Sequence, residues 1–131
     1  MQKRNVSVQI LTAGPLSDHS SISKLSEAMA LDLLKAGAEI YEYQPAMIHA
    51  KLMTIDGQWS VAGSTNFDHR SFALNDEVNI ATLDRDLAMR LDRDFDEDLS
   101  RSVRRTVKSS MERSASVRLM DRVSRILSRE A

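Results

Sequence analysis

Residues 47–62 read MIHAKLMTIDGQWSVA, two apolar-rich runs separated by Asp56-Gly57. Asp-Gly between two such runs is a strong signal for a short β-hairpin, because both residues tolerate the positive φ of a tight turn. The sequence therefore predicts one strand within residues 46–55 and a second over 58–62. Side chains alternate between the two faces of a strand, so we expect His49 and Lys51 on the same face.

A strand, a helix and a second strand are predicted before the hairpin. Residues 6–10 alternate apolar and polar side chains, which is typical of a strand. Residues 20–36 carry apolar side chains three and four positions apart, and Gly37 follows where a glycine commonly ends a helix. Residues 38–43 read as the second strand. Short connections around one helix favour a parallel β-α-β unit.

After the hairpin the pattern changes from strands to helices. Residues 63–75 predict a loop, residues 77–83 a strand, and residues 84–99 a helix with Asp84 as its N-cap. Residues 100–131 contain neither Gly nor Pro, and their apolar residues recur four apart, which predicts one or two amphipathic helices. The fold class is therefore α/β, with a mixed β-sheet flanked by helices and a C-terminal amphipathic helical tail.

Length and composition restrict the classes of protein. A chain of 131 residues is about one domain. The absence of cysteine excludes disulfides, thiolate zinc sites and a cysteine nucleophile. No apolar run approaches the ~20 residues that span a bilayer, and the first residues lack the apolar core of a signal peptide. We therefore expect a protein that is neither secreted nor membrane-spanning.

The charge is unevenly distributed along the chain. Residues 100–131 carry 9 basic and 3 acidic side chains, although the whole chain has a net charge of -1. This shift predicts a domain over residues 1–99 and a basic tail over 100–131. The tail either packs as a solvated helix or attaches to an anionic lipid surface, where each basic residue contributes ~1 kcal/mol. It has no aromatic residue to stack on bases, which disfavours nucleic acid as a partner.

Five polar residues along this pattern suit phosphate chemistry. A lysine two residues from a histidine places a fixed positive charge beside a titratable nitrogen, as at His49 and Lys51. Gly63 is followed by the hydroxyl of Ser64 and the amide of Asn66, both donors for phosphoryl oxygens. The carboxylate of Glu77 can accept a ring N–H of a histidine and fix its tautomer.

These residues also form a recognisable set of motifs. His49-x-Lys51-x4-Asp56, Gly63-Ser64-x-Asn66 and Leu74-Asn75-x-Glu77 resemble the HKD signature of the phospholipase D superfamily, and the match is closest to the C-terminal half of bacterial cardiolipin synthases. The resemblance implies a phospholipase D-like sandwich that works without metal or other cofactor.

The resemblance also implies a role for each matching residue. His49 is either the nucleophile that forms a phosphohistidine or the acid that protonates the leaving alkoxide. Lys51, Ser64 and Asn66 hold the phosphate, and Glu77 orients the imidazole. Asp56 belongs to the motif, but its place in the Asp-Gly turn indicates a structural role.

The superfamily uses two HKD motifs, and this chain has one. The second motif would come from a missing N-terminal half or from a second copy in a homodimer. The resemblance then implies phosphatidyl transfer from the anionic lipid phosphatidylglycerol to give cardiolipin and glycerol, by a peripheral protein on the cytoplasmic side of a bacterial inner membrane. The alternatives are a homodimeric phosphodiesterase or nuclease, which the net charge of -3 over residues 1–83 disfavours, and a catalytically silent half-domain that binds a membrane surface.

Overall fold

The computed structural model describes residues 6–14, 23–65 and 76–113. The regular elements in these ranges are β1 (Gln9–Ala13), α1 (Ser23–Lys35), β2 (Glu39–Tyr43), β3 (Leu52–Ile55), β4 (Trp59–Gly63), β5 (Asn79–Leu83), α2 (Arg85–Ser100) and β6 (Ser102–Arg104). Residues 107–113 are also helical. The chain forms two compact units, one made of residues 48–101 and the other of the residues before and after them.

The first unit is built on a three-stranded sheet with the order β1-β2-β6. β1 and β2 are parallel and are joined through α1, which packs against β2. The predicted parallel β-α-β unit is therefore confirmed. Gly37 has a φ of 92° and follows α1, with its N–H bonded to Leu34 and the N–H of Ala38 bonded to Leu33. These two bonds form the glycine-terminated helix end that the sequence predicts.

The third strand of this sheet corrects the predicted helix that begins at residue 100. Residues Ser102–Arg104 form β6, antiparallel to β2, with Ser102 opposite Tyr43. The edge of β2 offers backbone groups that a helix would leave unpaired, and this pairing outweighs the helical pattern of the tail. Helical structure begins at residue 107, where Thr106 and Ser109 exchange hydrogen bonds as in a capping box. Residues 114–131 lie outside the described residues, and the domain boundary at Ser100 stays a prediction.

A buried carboxylate joins β2 to the residues after β6. Glu42 is 6% exposed and shares one face of β2 with the buried Ile40. Its carboxylate accepts two hydrogen bonds from Arg113 and lies 3.5 Å from Nη1 of Arg105, which is itself buried. Arg105 also donates to Ser110 over 3.0 Å. Because opposite charges offset the cost of burying each other, this cluster fixes the segment after β6 against the sheet.

The second unit contains an antiparallel sheet with the order β3-β4-β5. Asp56 and Gly57 have φ angles of 52° and 61°, and the N–H of Gln58 donates to the carbonyl of Ile55. The predicted hairpin is confirmed. β3 begins only at Leu52, however, so its first predicted residues precede the strand.

α2 packs on β3 and β4 of this sheet. It begins after Asp84, whose side chain accepts the N–H of Leu87 over 3.0 Å, so the predicted N-cap is confirmed. Thr54 of β3 donates to Asp92 of α2, and Ala88 of the same helix is fully buried. The helix thereby holds β3 and β4 together from one side of the sheet. Within the described ranges, no helix combines the length and the apolar composition needed to span a membrane.

Candidate functional site

His49 and Lys51 form a close pair in the segment that leads into β3. Nζ of Lys51 lies 2.8 Å from Nε2 of His49 and also donates to the carbonyl oxygen of His49 over 3.1 Å. An ammonium group has only donors, so Nε2 is the acceptor and its lone pair points at the positive charge. A neutral His49 ring in this arrangement carries its proton on Nδ1. The imidazole is exposed, so the pair is open to a ligand.

The structure brings these two side chains together by a different route from the predicted one. Strand alternation predicts that His49 and Lys51 share a face because both lie in one strand, but neither residue lies in β3. The lysine side chain instead folds back over its own backbone and contacts the histidine two residues earlier. The long, flexible lysine chain makes this possible, since three rotatable donors can satisfy a carbonyl and a ring nitrogen together.

Gly63 ends β4 beside the lysine. Its N–H donates to the carbonyl of Lys51 over 3.1 Å, and it lies opposite Asn79 of β5. A Cβ on Gly63 would overlap the carbonyl oxygen of Val78 and the side-chain oxygen of Asn79. Only glycine allows the start of β5 to approach the end of β4 this closely. The ends of the three strands are therefore held side by side.

Ser64 and Glu77 are bonded to each other at this end of the sheet. The Ser64 hydroxyl donates to Oε2 of Glu77, and the same oxygen of Ser64 accepts the N–H of Val78 over 3.1 Å. The N–H of Ser64 donates in turn to the carbonyl of Val78. Three hydrogen bonds thus join the residue after β4 to the two residues before β5.

The predicted contact of Glu77 with a histidine ring is not among the hydrogen bonds of the described residues. The carboxylate accepts from Ser64 instead, and the His49 ring is bonded to Lys51. The assignment of Glu77 as the group that orients the imidazole stays a prediction. Asp56 lies in the hairpin turn, where the sequence predicts it, and its structural role also stays a prediction. Asn66, expected to hold phosphate, lies outside the described residues.

Two further polar residues, which the sequence analysis did not single out, join this cluster. Asn79 donates its side-chain amide to the Thr65 hydroxyl over 2.6 Å. The signal was available in the sequence, because antiparallel strands that place Ser64 near Glu77 and Val78 also place Thr65 near Asn79. The described residues contain no group of three or more histidine and acidic side chains arranged to hold a metal.

Four functional groups lie on segments at the same end of the β3-β4-β5 sheet, where the N–H of Gly63 donates to the carbonyl of Lys51. The Lys51 ammonium and the Ser64 hydroxyl are donors for a phosphoryl group, the His49 imidazole can attack phosphorus or move a proton, and the Glu77 carboxylate can accept one. In the structure these groups satisfy one another in two pairs, His49 with Lys51 and Ser64 with Glu77. A phosphate that accepted from Lys51 or from Ser64 would replace the bond that this donor makes within the protein.

The fold and this cluster define an α/β domain with a candidate phosphoryl-transfer site, and comparisons with known proteins agree with that class. Residues 1–99 match the family described as cardiolipin synthase, PLD-like domain. The chain therefore belongs to the phospholipase D-like domain family of cardiolipin synthases. It is 39% identical over 111 residues to cardiolipin synthase of Oceanobacillus iheyensis, covering 85% of this chain. It is 40% identical over 97 residues to cardiolipin synthase of a Geobacillus species, covering 74% of this chain.

The same fold occurs in a solved structure. The chain superposes with a TM-score of 0.65 on Nuc, a phospholipase D family member from Salmonella typhimurium, at 18% identity. The superposition covers 80% of this chain and 68% of Nuc. The matched region spans only 23% of the Oceanobacillus cardiolipin synthase and 19% of the Geobacillus one. The chain thus corresponds to about a quarter or less of these relatives.

Proposed function

We propose that this chain supplies one histidine half of a phosphatidyltransferase site of the cardiolipin synthase type. The substrate is phosphatidylglycerol, and the products are cardiolipin and glycerol. The observation that carries the proposal is the 2.8 Å contact between Nε2 of His49 and Nζ of Lys51, in a chain that belongs to this family. The contact places a cation beside the ring nitrogen, and a phosphoryl group that accepted from Lys51 would free the Nε2 lone pair for attack.

The proposed reaction has two steps on phosphorus. In the first, one imidazole bonds to phosphorus while the bond from phosphorus to the headgroup glycerol oxygen breaks. A second imidazole gives that oxygen a proton, so that free glycerol leaves. In the second, a hydroxyl of another phosphatidylglycerol gives its proton to the second imidazole and displaces the first. His49 serves as either the nucleophile or the acid, and Lys51, Ser64 and Asn66 hold the non-bridging oxygens. When the Ser64 hydroxyl donates to phosphate instead of to Glu77, the Glu77 carboxylate becomes free to orient the imidazole.

A site of this kind needs a second histidine from outside this half. The chain spans 23% of the length of the Oceanobacillus relative, which leaves room there for another motif. We propose that the second His-x-Lys motif comes from the remainder of a longer protein or from a second copy of this chain. A lipid substrate requires the assembled enzyme to work at a membrane surface, and we propose a peripheral position on the cytoplasmic side of a bacterial inner membrane.

The experiment compares the chain alone with the chain co-expressed with a polypeptide that carries a second His-x-Lys-x4-Asp motif. Each preparation is sized by light scattering and then incubated with phosphatidylglycerol vesicles, and the lipids are identified by mass spectrometry. We expect cardiolipin and glycerol from preparations that contain two motifs per particle and none from a monomer. The absence of cardiolipin from the dimeric and the co-expressed forms alike would overturn the proposal.

The lipid products also identify the acceptor. Phosphatidic acid in place of cardiolipin would mean that water replaces the lipid alcohol, and the chain would then be a phosphodiesterase rather than a transferase. Cleavage of DNA without lipid turnover would favour a nuclease. Both outcomes contradict the phosphatidyl-transfer proposal while leaving the phosphoryl site in place.

A further inference from the structure

Asn79, at the start of β5, lies opposite Gly63 and forms a hydrogen bond with Thr65, although neither Asn79 nor Thr65 is one of the predicted site residues. We infer that Asn79 and Thr65 are positioning residues, which hold the turn Gly63–Thr65 in the shape that presents Ser64 to a phosphoryl group. This inference rests on the proposed function, since it takes the Ser64 turn as the phosphate-binding element.

Asn79 lies where the turn Gly63–Thr65 begins. It lies directly opposite Gly63 in the β4–β5 register, and its side-chain oxygen occupies the space that a Cβ on Gly63 would fill. The side chain is therefore packed across the glycine at the point where the turn begins. A glycine alone leaves the backbone free to adopt many conformations, and a side chain packed over it removes that freedom.

A hydrogen bond joins Asn79 to Thr65 at the far end of the turn. Nδ2 of Asn79 donates to Oγ1 of Thr65 over 2.6 Å. One side chain thus contacts the turn at Gly63 and again two residues later at Thr65. Ser64 lies between these two points, and its own N–H donates to the carbonyl of Val78. The Asn79 side chain and the Val78 carbonyl together fix the backbone on both sides of the hydroxyl group.

The position of the Ser64 hydroxyl matters for its proposed bond to a phosphoryl group. A hydroxyl that donates to a phosphoryl oxygen must be held within tenths of an ångström of the productive position. The Ser64 side chain is exposed and already bonded to Glu77, so packing from a core does not hold it. Its position depends on the backbone of the turn, and Asn79 and Thr65 hold that backbone. Neither residue needs to touch the ligand.

The structure offers a matched control on the same two strands. The hydroxyls of Ser60 and Thr82 are 2.7 Å apart, which forms a second side-chain bond between β4 and β5, three residues from the site along each strand. A variant Thr82→Val removes a cross-strand side-chain bond, in a more buried position than the Asn79–Thr65 bond, without touching the turn. Any effect that comes from weakening the sheet alone should therefore also occur in this control.

The test measures binding of inorganic phosphate to the full chain by amide chemical shifts, for wild type, Thr65→Val, Asn79→Ala, the double variant and Thr82→Val. We expect Thr65→Val and Asn79→Ala to weaken phosphate binding at least 5-fold and the double variant to be no worse than Asn79→Ala, because both act through one bond. Thr82→Val should bind within 2-fold of wild type. Thr65→Ser, which keeps the hydroxyl, should restore the affinity.

The outcomes separate this inference from the proposed function. Wild-type affinity in Thr65→Val and Asn79→Ala, equal weakening in Thr82→Val, or no phosphate binding by wild type would each overturn the inference. The expected binding pattern in a chain that makes no cardiolipin in its two-motif form would overturn the phosphatidyl-transfer proposal and leave the positioning roles intact. In an active form, the two variants should raise KM for phosphatidylglycerol at least 5-fold, and Thr82→Val should not.

Discussion

Ser64 donates its hydroxyl proton to the Glu77 carboxylate across the ends of β4 and β5. In the structure this donor is therefore used within the protein, and a phosphoryl ligand must displace the carboxylate to receive it. The exchange replaces a hydrogen bond to one anion, the carboxylate, with a hydrogen bond to another, the phosphoryl group. It also releases Glu77, which is the residue that the family resemblance assigns to the imidazole.

The first prediction separates the two members of this pair. Ser64→Ala removes a donor to a charged ligand, a loss of ~1.5–3 kcal/mol or about 10-fold or more in phosphate affinity. Glu77→Gln leaves a side-chain oxygen that accepts from Ser64 and removes a negative charge that repels phosphate, so its affinity should equal or exceed that of wild type. Calorimetric titration with inorganic phosphate checks both.

A serine elsewhere in the same unit provides the control for this pair of variants. Ser100 donates to the carbonyl of Glu97 on the exposed side of α2, so Ser100→Ala should bind phosphate as wild type does. Unchanged binding in Ser64→Ala, or a weakening as large in Glu77→Gln as in Ser64→Ala, would show that the hydroxyl is not a phosphate donor.

The second prediction concerns the close approach at Gly63. Gly63→Ala forces a Cβ into the backbone of Val78 and Asn79, so we expect a loss of about 3 kcal/mol in the free energy of unfolding, the upper end for overpacking. Gly57→Ala is the control, because its φ is 61° and its nearest neighbours are side-chain atoms 3.7 Å and 3.9 Å away. That variant should lose only the ~1–2 kcal/mol of a left-handed alanine. Urea unfolding measures both, and equal losses would contradict the predicted overlap.

Much of the fold could be predicted because local signals decide it. The Asp56-Gly57 turn, the glycine after α1 and the Asp84 cap each depend on residues a few positions apart, and the structure contains all three. The parallel β-α-β unit follows from the same local pattern with short connections. In these cases the propensity of the residues and the tertiary structure favour the same conformation.

The errors occur where long-range partners decide. β6 has three residues, Ser102–Arg104, too few to show alternation, and it exists because the edge of β2 is available. The burial of Glu42 likewise depends on Arg105 and Arg113, more than sixty residues later, which no local pattern around residue 42 indicates. Residue types identify the His49–Lys51 pair, but the two side chains meet because the lysine folds back over its backbone and not because both lie in a strand. Such a side-chain conformation produces no periodic pattern in a sequence.

The third prediction tests the buried carboxylate of the first unit. Glu42→Gln removes a buried charge that pairs with the buried Arg105 and with the half-exposed Arg113, and breaking a buried ion pair costs ~3–5 kcal/mol in the free energy of unfolding. Glu39→Gln, in the same strand, breaks the pair with Arg104, which is 59% exposed, and should cost much less, because solvent screens an exposed ion pair. Denaturant unfolding gives both values. A Glu42→Gln loss as small as that of Glu39→Gln would mean that the cluster contributes little.

The fourth prediction follows from Glu39 itself. The hydrogen bond from Gln9, and then the charge of Arg104, lower the pKa of Glu39 below the ordinary value of a glutamate. A carboxyl whose pKa is lower in the folded state stabilises the fold above its unfolded pKa, and this stabilisation is lost as the pH falls through the folded pKa. Wild type should therefore lose more stability than Glu39→Gln between neutral pH and about pH 3, measured by thermal unfolding. Parallel pH curves for the two proteins would rule out this contribution.

The role of His49 is tested most directly by the rate of cardiolipin formation in a two-motif preparation that carries His49→Asn. Asparagine keeps a polar side chain near Lys51 but can neither form the phosphorus–nitrogen intermediate nor donate a proton at neutral pH. We expect the rate to fall by about 10³-fold or more, whichever of the two roles the imidazole has. His19→Asn, at a histidine with no lysine two residues later, should leave the rate unchanged. A His49→Asn enzyme that makes cardiolipin at the wild-type rate would contradict the assignment of the site.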